Sequence, residues 1–261
     1  MMNYLDDLFS LENKVAVAIG AGGVLAGAMA EALGAAGARV AVLDLNGEAA
    51  DERAESIRTA SGVEALGMAV DATSESDLRK ALGQVLSLWG RVDILLNAPG
   101  INSGTPFFEI TEEEWDRIMT VNLKSMFLAC QIFGQEMVDR GEGGSIINIS
   151  SASSGPPLSK VFTYSITKAG VNNLTQFLAR EWAPQSVRVN AVAPGFFPAE
   201  QNRKLLTEER TASIMGHTPM ARFGEADELA GAVVWLASSR ASSFVTGTVI
   251  RVDGGFTAMT I

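Results

Sequence analysis

The chain has 261 residues, 47% of them hydrophobic and 19% charged, which suits a single globular domain with a core large enough to need no staples. A formal net charge of −10 and the lack of any basic run argue against nucleic acid or an anionic membrane surface as partner. One cysteine, Cys130, and one histidine, His217, exclude an internal disulfide and leave no Cys/His set for zinc; no metal site is expected.

Taken in chain order, the acidic start MMNYLDDLFSLENK lacks the apolar core of a signal peptide. No apolar stretch reaches the roughly 18 residues of a membrane span, so a reducing cytoplasm is the expected compartment. Val15–Ile19 reads as a strand that ends in Gly20-Ala21-Gly22-Gly23, followed by a small-residue helix over 26–36 and a second strand, Arg39–Leu43, closed by Asp44. Strand, glycine turn, helix and strand make one βαβ unit. Ala65–Val70 reads as strand, Glu75–Trp89 as helix and Val92–Leu96 as strand. Thr111-Glu-Glu-Glu114 has the pattern of a capping box and opens a long helix to about Asp139. Further strands are read at Ser145–Ile149, Val187–Val192 and Thr248–Val252, with helices at Thr163–Trp182 and Asp227–Ala237. Apolar strands alternating with helices predict an α/β fold: a single-domain, Rossmann-type, doubly wound parallel sheet over residues 1–261 with helices on both faces.

In such a sheet the first glycine turn offers backbone N–H groups and a helix N-terminus to a pyrophosphate. The turn here fails G-x-G-x-x-G, because Leu25 holds the third glycine position, so a ligand-free glycine turn is the alternative reading. Asp44, at the end of strand two, suits the ribose hydroxyls of NAD. No Arg or Lys stands in the turn and Leu45 follows Asp44, so NAD is preferred over NADP.

Tyr164 and Lys168 are four apart on one helix face whose other members, Val171, Thr175 and Leu178, point inward. A lysine on that stripe needs partners. Ser151 follows the strand Ser145–Ile149, and catalytic groups gather at strand carboxyl ends. Asn122 is a lone amide in the stripe Trp115, Met119, Asn122, Met126, Phe133, either a satisfied core residue or part of a site.

Together these residues resemble the short-chain dehydrogenase/reductase family over nearly the whole chain. Asn97-Ala98-Pro99-Gly100 resembles the family's N-N-A-G, and Pro194-Gly195 its P-G beside the nicotinamide. Asn122, Ser151, Tyr164 and Lys168 match its catalytic tetrad. The resemblance implies a cofactor site of Gly20, Gly22, Gly23, Val24, Leu25, Asp44, Leu45, Asp71, Ala72, Asn97, Ala98, Gly100, Tyr164, Lys168, Pro194, Gly195 and Phe197. It implies a keto or hydroxy small-molecule substrate and a homotetramer with interfaces near Thr163–Trp182 and Thr248–Val252. It also implies Tyr164 as general acid, Ser151 bonding the substrate oxygen, and Asn122 holding a water that links Lys168 to solvent. Departures are Ile19, Val24 and Ala26 in the glycine motif, Ala98 in N-N-A-G, and Ala199 where a Thr usually follows P-G. Gly23–Ala30, Pro194–Phe197 with Gln201-Asn202-Arg203, and Ala241–Gly247 resemble the D-mannonate oxidoreductase (fructuronate reductase) branch. That branch implies a hexuronate substrate, for which Ser153, Lys160, Gln201, Asn202 and Arg203 are the candidate contacts. The alternatives are a generic sugar or polyol dehydrogenase, a 3-oxoacyl reductase, and a non-catalytic NAD-binding sensor. A Ser-His-Asp hydrolase would hang on His217, in a segment read as loop, and no G-x-S-x-G elbow exists.

Overall fold

Seven strands form one sheet in the computed structural model, which describes residues 3–198 and 207–259. They are β1 (Val15–Ile19), β2 (Arg39–Asp44), β3 (Ala65–Ala69), β4 (Ile94–Asn97), β5 (Gly144–Ile149), β6 (Val187–Pro194) and β7 (Val249–Val252). Their order is β3-β2-β1-β4-β5-β6-β7 and every pairing is parallel. The helices are α1 (Tyr4–Phe9), α2 (Val24–Ala35), α3 (Gly47–Ser61), α4 (Glu75–Trp89), α5 (Glu112–Met119), α6 (Ser125–Arg140), α7 (Phe162–Trp182), α8 (Glu208–His217) and α9 (Ala230–Ala237).

Helices cover both faces of the sheet, and each face has its own core. One packs Met29 and Leu33 of α2, Ile57 of α3 and Val233 of α9 on Ala16, Val40 and Leu96. The other packs Leu78 of α4, Phe133 of α6 and Leu178 of α7 on Val15, Leu43 and Leu95. Strands buried on both faces have no polar side to show, hence their unbroken apolar runs. The strand order reverses at β1, whose last residue Ile19 lies between Leu43 of β2 and Asn97 of β4. A ligand crevice opens beyond the carboxyl ends at such a point.

Several features differ from the sequence reading, α1 among them. Helix α3 is unannounced because only Ala50, Ala54 and Ile57 of it are buried, a stripe too small to stand out. Asn46 caps its start and Gly62, at φ +70°, ends it. His217 is the last residue of α8, not part of a loop. The capping box is half made. Thr111 Oγ1 accepts from Glu114 N at 3.1 Å, but the Glu114 carboxylate accepts from Thr105 Oγ1 at 2.7 Å instead. That second bond ties α5 to the loop after β4. The long helix is also broken into α5 and α6 by a π-turn over Thr120–Lys124.

The amino-terminal edge of the sheet is pinned by Asp93, which is 7% exposed. Its carboxylate accepts from Val15 N at 3.0 Å and from Arg91 Nε and Nη2 at 2.8 and 2.6 Å, with Arg140 Nη1 at 3.2 Å. Burial alone would raise its pKa, but the Arg91 hydrogen bonds, the Val15 N–H and Lys14 together hold it below the ordinary carboxylate value. A depressed folded-state pKa adds stability that is complete above the unfolded value and is lost as pH falls through the folded one. Asp93→Asn is therefore expected to cost about 3 kcal/mol in urea unfolding at pH 7. The gap to the unsubstituted protein should narrow once the pH drops below about 4; a gap independent of pH would refute this account.

Candidate active site

The glycine turn sits where β1, β2 and β4 end. Gly20 has φ +75°, and its N–H donates to Leu43 O at 2.7 Å. A Cβ there would lie 3.1 Å from Ala98 O and Pro99, so the position needs glycine twice over. Gly22 N donates to Asp44 Oδ2 at 3.0 Å, and a Cβ on Gly22 would crowd that carboxylate at 2.9 Å. Gly23 begins α2 with no side-chain cap, and the first helical bond is Gly27 N to Gly23 O. The amides of Val24, Leu25 and Ala26 thus have no acceptor within the helix. Val24 and Ala26, where the family motif has glycine, leave this backbone cradle intact, with Val24 turned to solvent and Ala26 buried.

Asp44 Oδ1 accepts from Asn46 N at 3.0 Å. Each oxygen holds one backbone donor and keeps lone-pair capacity for a ligand. Leu45 is 76% exposed beside it. Arg53 on α3 spends Nη1 on Glu31 at 2.6 Å, while its buried Nε has no partner among the described residues. Asp71 and Ala72 follow β3, and Asp71 Oδ1 is tied to Thr73 N at 2.8 Å.

At the end of β4, Asn97 turns its side chain into the core. Its side chain is fully buried, donating to Met126 O at 3.1 Å and to Asn148 Oδ1 at 3.2 Å. It fastens β4 to α6 and β5 and does not face the crevice. Cys130 lies in the same cluster, its thiol pushed up to about 12 by burial. Ala98 N continues the ladder to Ile19 O, and Gly100 is exposed.

Asn122 lies in the π-turn and is also fully buried. Its Oδ1 accepts from Ile101 N at 2.7 Å, while Nδ2 donates to Ile101 O at 2.8 Å and to Thr167 Oγ1 at 3.3 Å. Thr167 Oγ1 in turn donates to Tyr164 O at 2.7 Å. The amide therefore clamps the loop after β4 onto α7, and its side chain is already satisfied by protein.

Ser151, Tyr164 and Lys168 do converge. Ser151 Oγ accepts from Ser153 N at 3.1 Å, which leaves its own O–H to donate. Tyr164 is raised above the ordinary phenol value by burial, against a smaller lowering by the Ser151 hydroxyl beside it. Lys168 is 3% exposed, donates from Nζ to Ile149 O at 2.8 Å, and lies 5.5 Å from the centre of the Tyr164 ring. Among the described residues no carboxylate pairs with it, and burial pulls it down to about 8. A phenol, a hydroxyl donor and a titratable amine in one crevice can deliver a proton to a developing alkoxide.

Among the other expected contacts, Ser153 is 1% exposed and its hydroxyl lies 2.5 Å from Ser165 Oγ, where it braces the loop. Phe197 is buried with its ring against Gly224, so its side chain belongs to the core. Gly195 is a close approach, since a Cβ there would lie 2.7 Å from Asp253 Cα. Lys160 is exposed, at φ +68°. Ala199, Gln201, Asn202 and Arg203 lie outside the described residues. Unannounced in the sequence is an aromatic group at the start of α7, with Phe107 4.9 Å and Trp115 6.2 Å from Phe162. No group of three or more metal-ligating side chains occurs among the described residues. No described helix is long and apolar enough to cross a membrane.

Comparison with known proteins agrees with this geometry. A family model described as enoyl-(acyl carrier protein) reductase matches residues 20–257. Gluconate 5-dehydrogenase of Gluconobacter oxydans is 36% identical over 252 residues, 96% of this chain and 97% of that protein. A crystal structure of a gluconate 5-dehydrogenase from Burkholderia cenocepacia, in complex with NADP and tartrate, superposes with TM-score 0.93 at 33% identity, covering 98% of this chain and all of that one. A structure from Haemophilus influenza, provisionally named D-mannonate oxidoreductase and holding NAD, gives TM-score 0.90 at 34% identity, over 98% and 99% of the two chains.

The chain has two tyrosines, so Tyr4→Phe leaves Tyr164 as the only absorbing phenol. Its ultraviolet titration should fall above the ordinary value of about 10. Ser151→Ala should move it further up, since the hydroxyl favours the phenolate. A midpoint at or below the ordinary value, or no response to Ser151→Ala, would contradict the arrangement described.

Proposed function

The chain belongs to the short-chain dehydrogenase/reductase family, and on that footing we propose that it interconverts the ketone and secondary alcohol of a sugar acid with NAD(H), fructuronate and mannonate being the favoured pair. NAD(P)-dependent oxidoreduction at a CH–OH group is what membership carries. The observation that bears most on the reading is Lys168, buried beside Tyr164 with no carboxylate partner among the described residues.

The cradle suits a dinucleotide. The amides of Val24, Leu25 and Ala26 would hold the pyrophosphate, Asp44 the ribose hydroxyls, and Leu45 with Asp71 and Ala72 the adenine side. Ala98, Gly100 and Gly195 would border the nicotinamide. The bound dinucleotide supplies or takes the hydride and, when oxidised, brings a positive charge. In reduction, Tyr164 Oη gives its proton to the carbonyl oxygen as that oxygen gains charge. Ser151, whose O–H favours the phenolate in the empty site, donates to the same oxygen when a substrate is bound. Lys168 Nζ, at about 8, exchanges protons near neutral pH and can restore the phenol. A 2′-phosphate would meet the Asp44 carboxylate, which supports NAD over NADP.

The sugar-acid reading draws on the gluconate-acting relatives, and the hexuronate reading on the branch motifs. An exposed Lys160 and Arg203 are the cations offered to a substrate carboxylate. Phe127 on α6 and Phe177 on α7, 46% and 53% exposed, support burial against further copies in a homotetramer. Cys130, a free buried thiol, suits a reducing compartment such as the cytoplasm.

NADH-dependent reduction of a keto-hexuronate, measured against 5-ketogluconate and uncharged ketones, tests the reading. Tyr164→Phe should lower kcat by about 10²–10⁴ while NADH still binds. Asp44→Ala should weaken NADH binding and reduce the preference over NADPH. Better kcat/KM with NADPH in the unsubstituted protein overturns the cofactor assignment, and turnover of uncharged ketones alone overturns the substrate class. A monomeric mass by light scattering overturns the assembly.

A further inference from the structure

Ser151 lies in a loop, between β5 and a single 3₁₀ turn over Ala152–Ser154, not on a strand or helix. A group that must meet a reacting oxygen has to be held to a fraction of an ångström, and loops do not do this unaided. We propose that Asn172 is the positioning residue that fixes the Ser151 hydroxyl for the reaction, an inference that rests on the role of Ser151 given above.

Asn172 stands on α7 four residues beyond Lys168, on the same helix face. Its amide grips the loop on both sides of Ser151. Oδ1 accepts from Ser150 Oγ at 2.6 Å, and Nδ2 donates to Ser154 Oγ at 2.9 Å. Ser154 Oγ then donates to the carbonyl of Ser151 itself at 2.6 Å. Ser150 Oγ also reaches Lys168 O at 3.3 Å, which registers the loop against the helix turn that carries the lysine. The Ser151 Oγ is oriented by Ser153 N, inside the segment whose far end Asn172 holds.

The direction of these bonds matters. Because Nδ2 fills the acceptor side of Ser154 Oγ, that hydroxyl turns its proton to Ser151 O. An aspartate has the same shape but only accepts. It would draw the Ser154 proton to itself and leave Ser151 O with only the Ser154 backbone N–H, at 3.0 Å. Packing gives the loop little support from this side, since a cavity of about 400 Å³ bounded by Ser151, Ser154, Asn172 and Arg251 lies against it. The hydrogen bonds therefore carry the constraint.

The test is a cycle in the full protein with NADH and an accepted ketone, using Asn172→Ala, Asn172→Asp, Ser151→Ala and the Ser151→Ala/Asn172→Ala pair. Asn172→Ala and Asn172→Asp should each lower kcat roughly 10–100-fold, the scale of a misplaced reacting group. KM and the NADH dissociation constant from fluorescence should change by less than about 2-fold, because neither site is contacted. The double variant should be no slower than Ser151→Ala alone, since a residue that acts through another adds no further loss. Multiplicative losses, or full kcat in Asn172→Asp, overturn the proposal. Ser151→Ala with undiminished kcat would instead overturn the role of Ser151 on which it rests. Should the Asn172 variants fail to fold, Ser154→Ala cuts the same chain, and its kcat loss must likewise vanish in a Ser151→Ala background.

Discussion

A lysine ammonium with one carbonyl for a partner is an expensive thing to bury, and much of this molecule is arranged around it. Lys168 is 3% exposed and donates to Ile149 O, the last carbonyl of β5. Desolvation disfavours the charged form, which is why its pKa falls to about 8. The same burial lifts the Tyr164 phenol. Two neighbouring groups whose ordinary values lie close to 10 are thus pushed apart. An acid and its proton source with separated affinities are what a proton-delivering site needs. Keeping that state requires α7 to stay docked on β5. The Ser150 contact with Lys168 O and the Asn148 bond to Thr175 Oγ1 at 3.0 Å hold it there.

The two ends of the sheet are specialised in opposite ways. At the carboxyl ends, groups are left with spare capacity: the uncapped amides of α2 and the remaining lone pairs of Asp44. At the amino ends the Asp93 carboxylate is filled. Asp93 takes a backbone amide, both arms of Arg91 and one arm of Arg140. Unspent polar capacity costs stability, and the saturated edge is where the fold can regain it.

Much of this could be read from residue order alone, and the failures have a common cause. Strands were legible because burial on both faces leaves only apolar residues, and Tyr164 with Lys168 was legible because helix spacing fixes a shared face. What residue order does not carry is the direction of a side chain at a strand end and the identity of its neighbour. Asn97 ends β4 yet points to Asn148 and Met126, and Ser153 is consumed by Ser165. Phe197 turns inward because Gly224, distant in sequence, has no side chain to stop it. Helix α3 escaped notice because alanines fill its buried stripe, and Glu114 left its cap for Thr105, a partner that only the folded loop brings near.

The π-turn at Thr120–Lys124 has a consequence for the loop after β4. There Ser125 N bonds Thr120 O, five residues back, and the skipped carbonyl of Val121 is taken by the Ser125 hydroxyl at 2.5 Å. A widened turn is a helix that has absorbed one extra residue. Removing a residue from it would restore regular winding with α5 and α6 facing nearly as they do now, so the widening costs the long helix no change of face. What it provides is local: Asn122 sits within the widened turn, where its side chain meets both backbone groups of Ile101. The extra residue therefore works as a shim, setting one amide against the loop after β4 while the helices on either side stay in register.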